Sequence, residues 1–95
     1  MIIEAALLVR VGETPTPIVV PCRRHGDGMA MLRDLFSGDR SKYVVIEQGF
    51  IDHNGQYFDR KSALSHAMIC GQLNATTIYS KRQNKEDELY SEDLY

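Results

Sequence analysis

Asn54-Gly55 stands between two β-forming runs: Tyr43-Val-Val-Ile46, continuing to Phe50 and Ile51, and Tyr57-Phe58. Both residues of the dipeptide tolerate the positive φ of a type I′ turn, so the pair is a strong hairpin signal. A two-residue turn fixes the register. It places His53 opposite Gln56, Asp52 opposite Tyr57 and Ile51 opposite Phe58. Ile51 and Phe58 then share one face, while Phe50, Asp52 and Tyr57 share the other. A helix follows at once. Asp59 is its cap, Leu64, Ala67 and Met68 its apolar stripe, and Gly71 its stop.

The rest of the chain has to fit around this hairpin and helix. Ile2 to Val11 is apolar and β-branched apart from Glu4 and Arg10, the mark of a strand buried on much of both faces. Gly12 to Pro17 is a loop, Ile18 to Val20 a short strand, and Pro21 limits its continuation. Asp27 is placed to cap a first helix whose stripe is Met29, Leu32, Leu35 and Phe36, with Gly38 at its left-handed end. Thr76 to Tyr79 reads as a further short strand. The run 81–88 balances three basic against three acidic residues and is expected to be mobile. Leu89 to Tyr95 carries four apolar residues and is expected to dock. The expected fold is α+β in the order ββαββα: one domain over 1–95, a mostly antiparallel sheet of about four strands, two helices and a docked C-terminal tail. Two helices cover one side of such a sheet. Aromatic side chains on both faces of the hairpin therefore call for a ligand, a second copy or the tail, and a homo-oligomer is expected.

Ninety-five residues with a net charge of −2 do not suit a dedicated binder of nucleic acid polymers. No apolar run approaches the roughly 20 residues that span a bilayer. Two cysteines make no disulfide framework, and no signal sequence is evident, so a cytoplasmic protein is expected.

The most polar constellation is Cys22-Arg23-Arg24-His25-Gly26-Asp27-Gly28. Two arginines before a helix N-terminus suit an anion, because guanidinium forks and free N–H groups both match phosphate oxygens. Arg60 repeats the theme at the second helix start. The opposing reading is that arginines at turns are solvated and that Asp27 and Asp59 already cap both helices. His25 and Asp27 can also be read as an acid–base pair, although no nucleophile motif accompanies them. Cys22, His25, His66 and Cys70 make a Cys₂His₂ zinc alternative, but not at finger spacing, and neither metal nor cofactor is assigned. Phe50 and Tyr57 can stack a base or serve as core.

Cys22-Arg23-Arg24-His25-Gly26-Asp27, Gln48-Gly49-Phe50, Gly55, Tyr57, Arg60, Ala63, Ala67, Gly71-Gln72 and the closing Leu89-Tyr-Ser-Glu-Asp-Leu-Tyr95 resemble a family of small bacteriophage and prophage proteins over roughly residues 20–95. The resemblance carries no activity of its own. It implies a protein acting in the host bacterial cell by binding rather than by catalysis. On that footing the chain would sequester a small phosphorylated, nucleotide-derived immune signal. Arg23, Arg24 and Arg60 would meet phosphates, His25 and Asp27 polar groups, Phe50 or Tyr57 a base, and Glu92 and Asp93 ribose hydroxyls or an interface. The alternatives are a module that inhibits a host protein and a small nucleotide hydrolase using His25 and Asp27.

Overall fold

The computed structural model describes residues 1–94. Among these, four strands form one antiparallel sheet: β1 (Ile2–Val11), β2 (Ile18–Cys22), β3 (Tyr43–Asp52) and β4 (Tyr57–Asp59), in the order β2-β1-β3-β4. Three helices accompany them: α1 (His25–Leu35), α2 (Arg60–Ile69) and α3 (Ala75–Gln83). The α+β class, the antiparallel sheet and the docked tail are as expected.

β1 is central because it is the longest apolar run, pairing β2 through Leu7↔Val20 and β3 through Ala5↔Phe50. Its alternate residues Ala5, Leu7 and Val9 are fully buried and face α1 and α2 together with Phe50, Leu32, Ala63, Leu64 and Ala67. Gly28 is buried in α1, where a Cβ would press on the Cys22 sulfur and on Leu7. Its missing side chain is what lets α1 approach the sheet.

The hairpin register differs from the two-residue expectation. Gly55 N–H donates to the Asp52 carbonyl at 3.0 Å, and Asp52 N–H donates to the Gln56 carbonyl at 3.0 Å. The loop is therefore three residues long, with Gly55 alone at positive φ (78°). The cause is Asp52. Its Oδ1 accepts from the N–H groups of both Asn54 and Gln56 at 2.9 Å, which fixes the wider turn. Phe50 now lies opposite Phe58, and Ile51 opposite Tyr57. A slip of one residue exchanges faces. Phe50 is thus fully buried in the core with Phe58 against it, and Tyr57 lies on the opposite face.

Other boundaries shift for local reasons. α1 begins at His25, with Arg24 at the capping position and no side-chain cap; Asp27 sits inside the first turn instead. Leu35 is exposed, and His25 and Gly28 join Leu32 on the buried stripe. On α2 the cap is as read, Asp59 Oδ1 accepting from Ser62 N–H at 2.7 Å, but Ala63 replaces Met68 on the buried side. Thr76 to Tyr79 is helical rather than a strand. Asn74 Oδ1 accepts from Thr77 N–H at 2.8 Å, and a side-chain cap outweighs the β preference of three β-branched residues.

Gly71 ends α2 at φ 69°, and Gln72 then grips β1. Its amide accepts from Ile2 N–H and donates to the Ile2 carbonyl, both at 2.6 Å.

The tail docks on its own chain. Leu89 is fully buried, and its N–H donates to the Arg60 carbonyl at 3.0 Å. Lys81, in the run expected to be mobile, is only 5% exposed. Its Nζ reaches Asp93 Oδ2 at 2.7 Å, donates to the Glu88 carbonyl at 2.9 Å and lies 4.7 Å from the Tyr90 ring centre. Asp93 also accepts from Tyr90 N–H at 2.9 Å. One buried ammonium thus ties α3 to a folded tail.

Candidate functional site

A cavity of about 300 Å³ opens between the start of α1, the start of α2 and the tail. Arg24, His25, Gly26 and Asp27 line it from α1, Arg60 from α2, and Tyr90, Ser91 and Glu92 from the tail. The hairpin-and-helix unit brings Arg60 there, because β4 runs directly into α2 and Asp59 fixes the helix start.

His25 forms the floor. Its Nε2–H donates to the Gly49 carbonyl at 2.7 Å, which assigns the tautomer and leaves Nδ1 as acceptor, 3.5 Å from Arg60 Nη2. The ring meets Phe50 edge-on at 5.1 Å. Burial pushes its pKa below the ordinary value of 6.5; the Gly49 bond opposes that shift and the nearby Arg60 charge adds to it. The imidazole is therefore neutral at pH 7, with both nitrogens engaged.

Arg60 donates to Gln48 Oε1 at 2.8 Å and lies 5.3 Å from the Tyr90 ring centre. Its Nε–H is buried and has no partner among the described residues. Its acceptors, Gln48 and His25, are both neutral, and no carboxylate of the described residues lies within ion-pair distance. Its positive charge is thus not offset by an ion pair among the described residues. The first N–H groups of α1 add to it, since no side chain caps them.

Of the residues singled out in the sequence, Arg24, His25, Asp27, Arg60 and Glu92 converge on this cavity. Arg23 does not line it. Phe50 lies beneath it in the core, its ring meeting that of His25 edge-on. Tyr57 is on the other face of the sheet, its hydroxyl donating to Glu47 Oε1 at 2.8 Å; burial first, and Glu47 second, raise its pKa and keep the phenol protonated. Asp93 is taken up by Lys81. Tyr90 and Ser91 are lining residues that the sequence did not single out for a site; their signals were the apolar pattern of the tail and its place in the family resemblance.

No group of three or more His, Cys, Asp and Glu among the described residues is placed to hold a metal, so the Cys₂His₂ set does not assemble. Cys22 is buried against α1, and burial raises its thiol pKa. No helix among the described residues is long and apolar enough to cross a membrane.

No curated protein and no solved structure matches the chain. A family model described as Phage T4 y16D protein matches residues 1–95, the whole chain, and the chain belongs to that phage protein family.

Proposed function

We propose that this phage protein binds a small phosphorylated ligand of nucleotide type in the cavity between α1, α2 and the tail, and withholds it without turnover. The observation that carries the reading is Arg60: a cavity-lining guanidinium held by neutral acceptors, facing a helix start with uncapped N–H groups. Such a pair favours a phosphate. Asp27 and Glu92 on the same rim suit acceptance from hydroxyls of a ribose. A volume of about 300 Å³ is at the small end of ligand sites. It suits one nucleotide unit rather than a dinucleotide. Binding is favoured over catalysis because both nitrogens of His25 are committed, so the group best suited to proton transfer has none to exchange. The phage family supplies only the setting; within the proposal, the bound nucleotide is a defence signal of the host.

Thermal melting with a panel of cyclic, linear and ADP-ribose-derived nucleotides tests this. A ligand present at about a hundredfold over its Kd is expected to raise Tm by on the order of 10 °C in a chain of this length. Arg24→Glu is expected to abolish the rise while leaving the unliganded Tm within a few degrees. No rise with any nucleotide at millimolar concentration contradicts the proposal.

A further inference from the structure

β4 pairs with β3 only over 49–51, so residues 43–48 of β3 form an open edge of the sheet. The hydrogen-bond phase gives the direction of their main-chain groups. Gly12 N–H donates to the Lys42 carbonyl at 2.9 Å, so Val11 and Tyr43 are a pair that exchange no bonds themselves. Tyr43 and, two residues on, Val45 therefore turn N–H and C=O outward. At the other end, Asp52 N–H donates to the Gln56 carbonyl, which sets Phe50 to bond Phe58 and leaves Gln48 facing outward. None of these three residues has a main-chain partner on the open side among the described residues. Leu8 lies opposite Glu47 and Val9 opposite Val45, so Ile46 is a bulge that drops out of the ladder. Residues of an added strand that face Tyr43, Val45 and Gln48 would consequently fall at alternate positions.

The two sides of this edge differ. On the side where α1 and α2 pack, a cavity of about 310 Å³ is lined by Met29, Arg33, Arg40, Tyr43 and Val45. Arg33 and Arg40 have no ion pair and no side-chain hydrogen bond among the described residues. On the other side Val44 and Ile46 are 54% and 43% exposed. The stretch Tyr43-Val-Val-Ile46 is strongly β-forming and carries neither the proline nor the lysine that commonly blunts an edge, whereas β2, at the far edge of the sheet, contains Pro21.

We propose that the β3 edge takes up an extended segment of another protein as an added strand, with acidic side chains on the helix side alternating with apolar ones on the other. The free main-chain groups require an extended backbone. The two unpartnered guanidinium groups select carboxylates. Val44 and Ile46 favour apolar neighbours across the new pair. A second copy of β3 lacks this pattern, since its own helix-side edge residues are Tyr43, Val45 and Gln48, with no acid among them.

Fluorescence anisotropy of a labelled, end-blocked peptide of alternating glutamate and valine, about eight residues long, tests this on the full chain. Circular dichroism melts establish that each variant is folded. Saturable binding in the micromolar range is expected. Arg33→Glu and Arg40→Glu are each expected to weaken it about tenfold, and a lysine–valine peptide, inert towards the wild type, to bind the double variant. One row of peptide N–H groups faces β3 and the other faces solvent. N-methylation of one alternate set, glutamates or valines, is therefore expected to abolish binding, and that of the other set to leave it within about threefold. The proposal is overturned by no saturable binding at millimolar peptide, including the case of a dimer in sedimentation that the peptide does not dissociate. It is equally overturned by affinity unchanged in both arginine variants, or by equal losses from the two methylated peptides. Nucleotide is absent from every arm, so the outcome is separate from the fate of the ligand reading.

Discussion

His25 sits where fold and cavity meet, and its protonation state links them. Its Nε2–H is spent on Gly49, and burial holds the ring neutral. Because the folded pKa is lowered, the unfolded chain binds the proton first as pH falls. The contribution to stability is complete above the ordinary value of 6.5 and is lost as pH drops below it towards the folded pKa. Melting curves between pH 7.5 and 5 are therefore expected to show Tm falling below about 6.5. In His25→Asn that part of the pH dependence is expected to be flatter, on a lower baseline. Lys81 is the second decisive residue. Lys81→Met removes the ammonium that the tail closes over and leaves the half-buried Asp93 without its ion pair. A loss of about 2–3 kcal/mol in urea denaturation is expected, at or below the usual range for breaking a buried pair because Asp93 is partly solvated. Amides 90–94 should exchange faster in this variant, since their anchor is gone.

At the scale of elements, Gly49 and Gln72 explain two motifs that the sequence displayed without a reason. A Cβ on Gly49 would collide with the Phe58 carbonyl and the Tyr57 ring. Gly49→Ala is thus expected to cost about 1–3 kcal/mol by overpacking and to disturb the β3–β4 pairing that delivers Arg60. Gln72 holds the start of β1 through both ends of its amide. Gln72→Ala is expected to cost about 1–2 kcal/mol by denaturant melting. The strands, the cap at Asp59 and the stop at Gly71 were legible, because each depends on neighbours in the chain. The hairpin register was not. Asn54-Gly55 announces a turn, but the carboxylate of Asp52 decides its length, and with it the face on which Phe50 and Tyr57 lie. α3 was misread for a related reason: Thr76, Thr77 and Ile78 favour strands, and the capping role of Asn74 depends on where α2 ends.

The whole molecule is a sheet with helices on one side, closed at one corner by its own tail. That closure makes the cavity. Arg24, His25, Asp27 and Arg60 are brought together by two helix starts, and Tyr90, Ser91 and Glu92 complete the wall only because Leu89 and Lys81 bury beneath them. The cationic helix starts could be read from the sequence, since arginines beside predicted caps are local signals. The neutral company of Arg60 and the wall supplied by the tail could not, since they depend on contacts between separate elements, from 12 residues apart (Arg60 to Gln48) to 35 (Arg60 to His25). The proposed function requires that a phosphorylated ligand meet these residues. The direct measurement is a ¹H–¹⁵N correlation spectrum of the labelled protein titrated with single nucleotides, from a mononucleotide to ADP-ribose. The expected result is saturable shifts in the amides of His25, Gly26 and Asp27 and in the tail amides of Ser91 and Glu92, lost in Arg60→Gln. Saturable shifts confined to another surface, or none with any nucleotide at millimolar concentration, would contradict it.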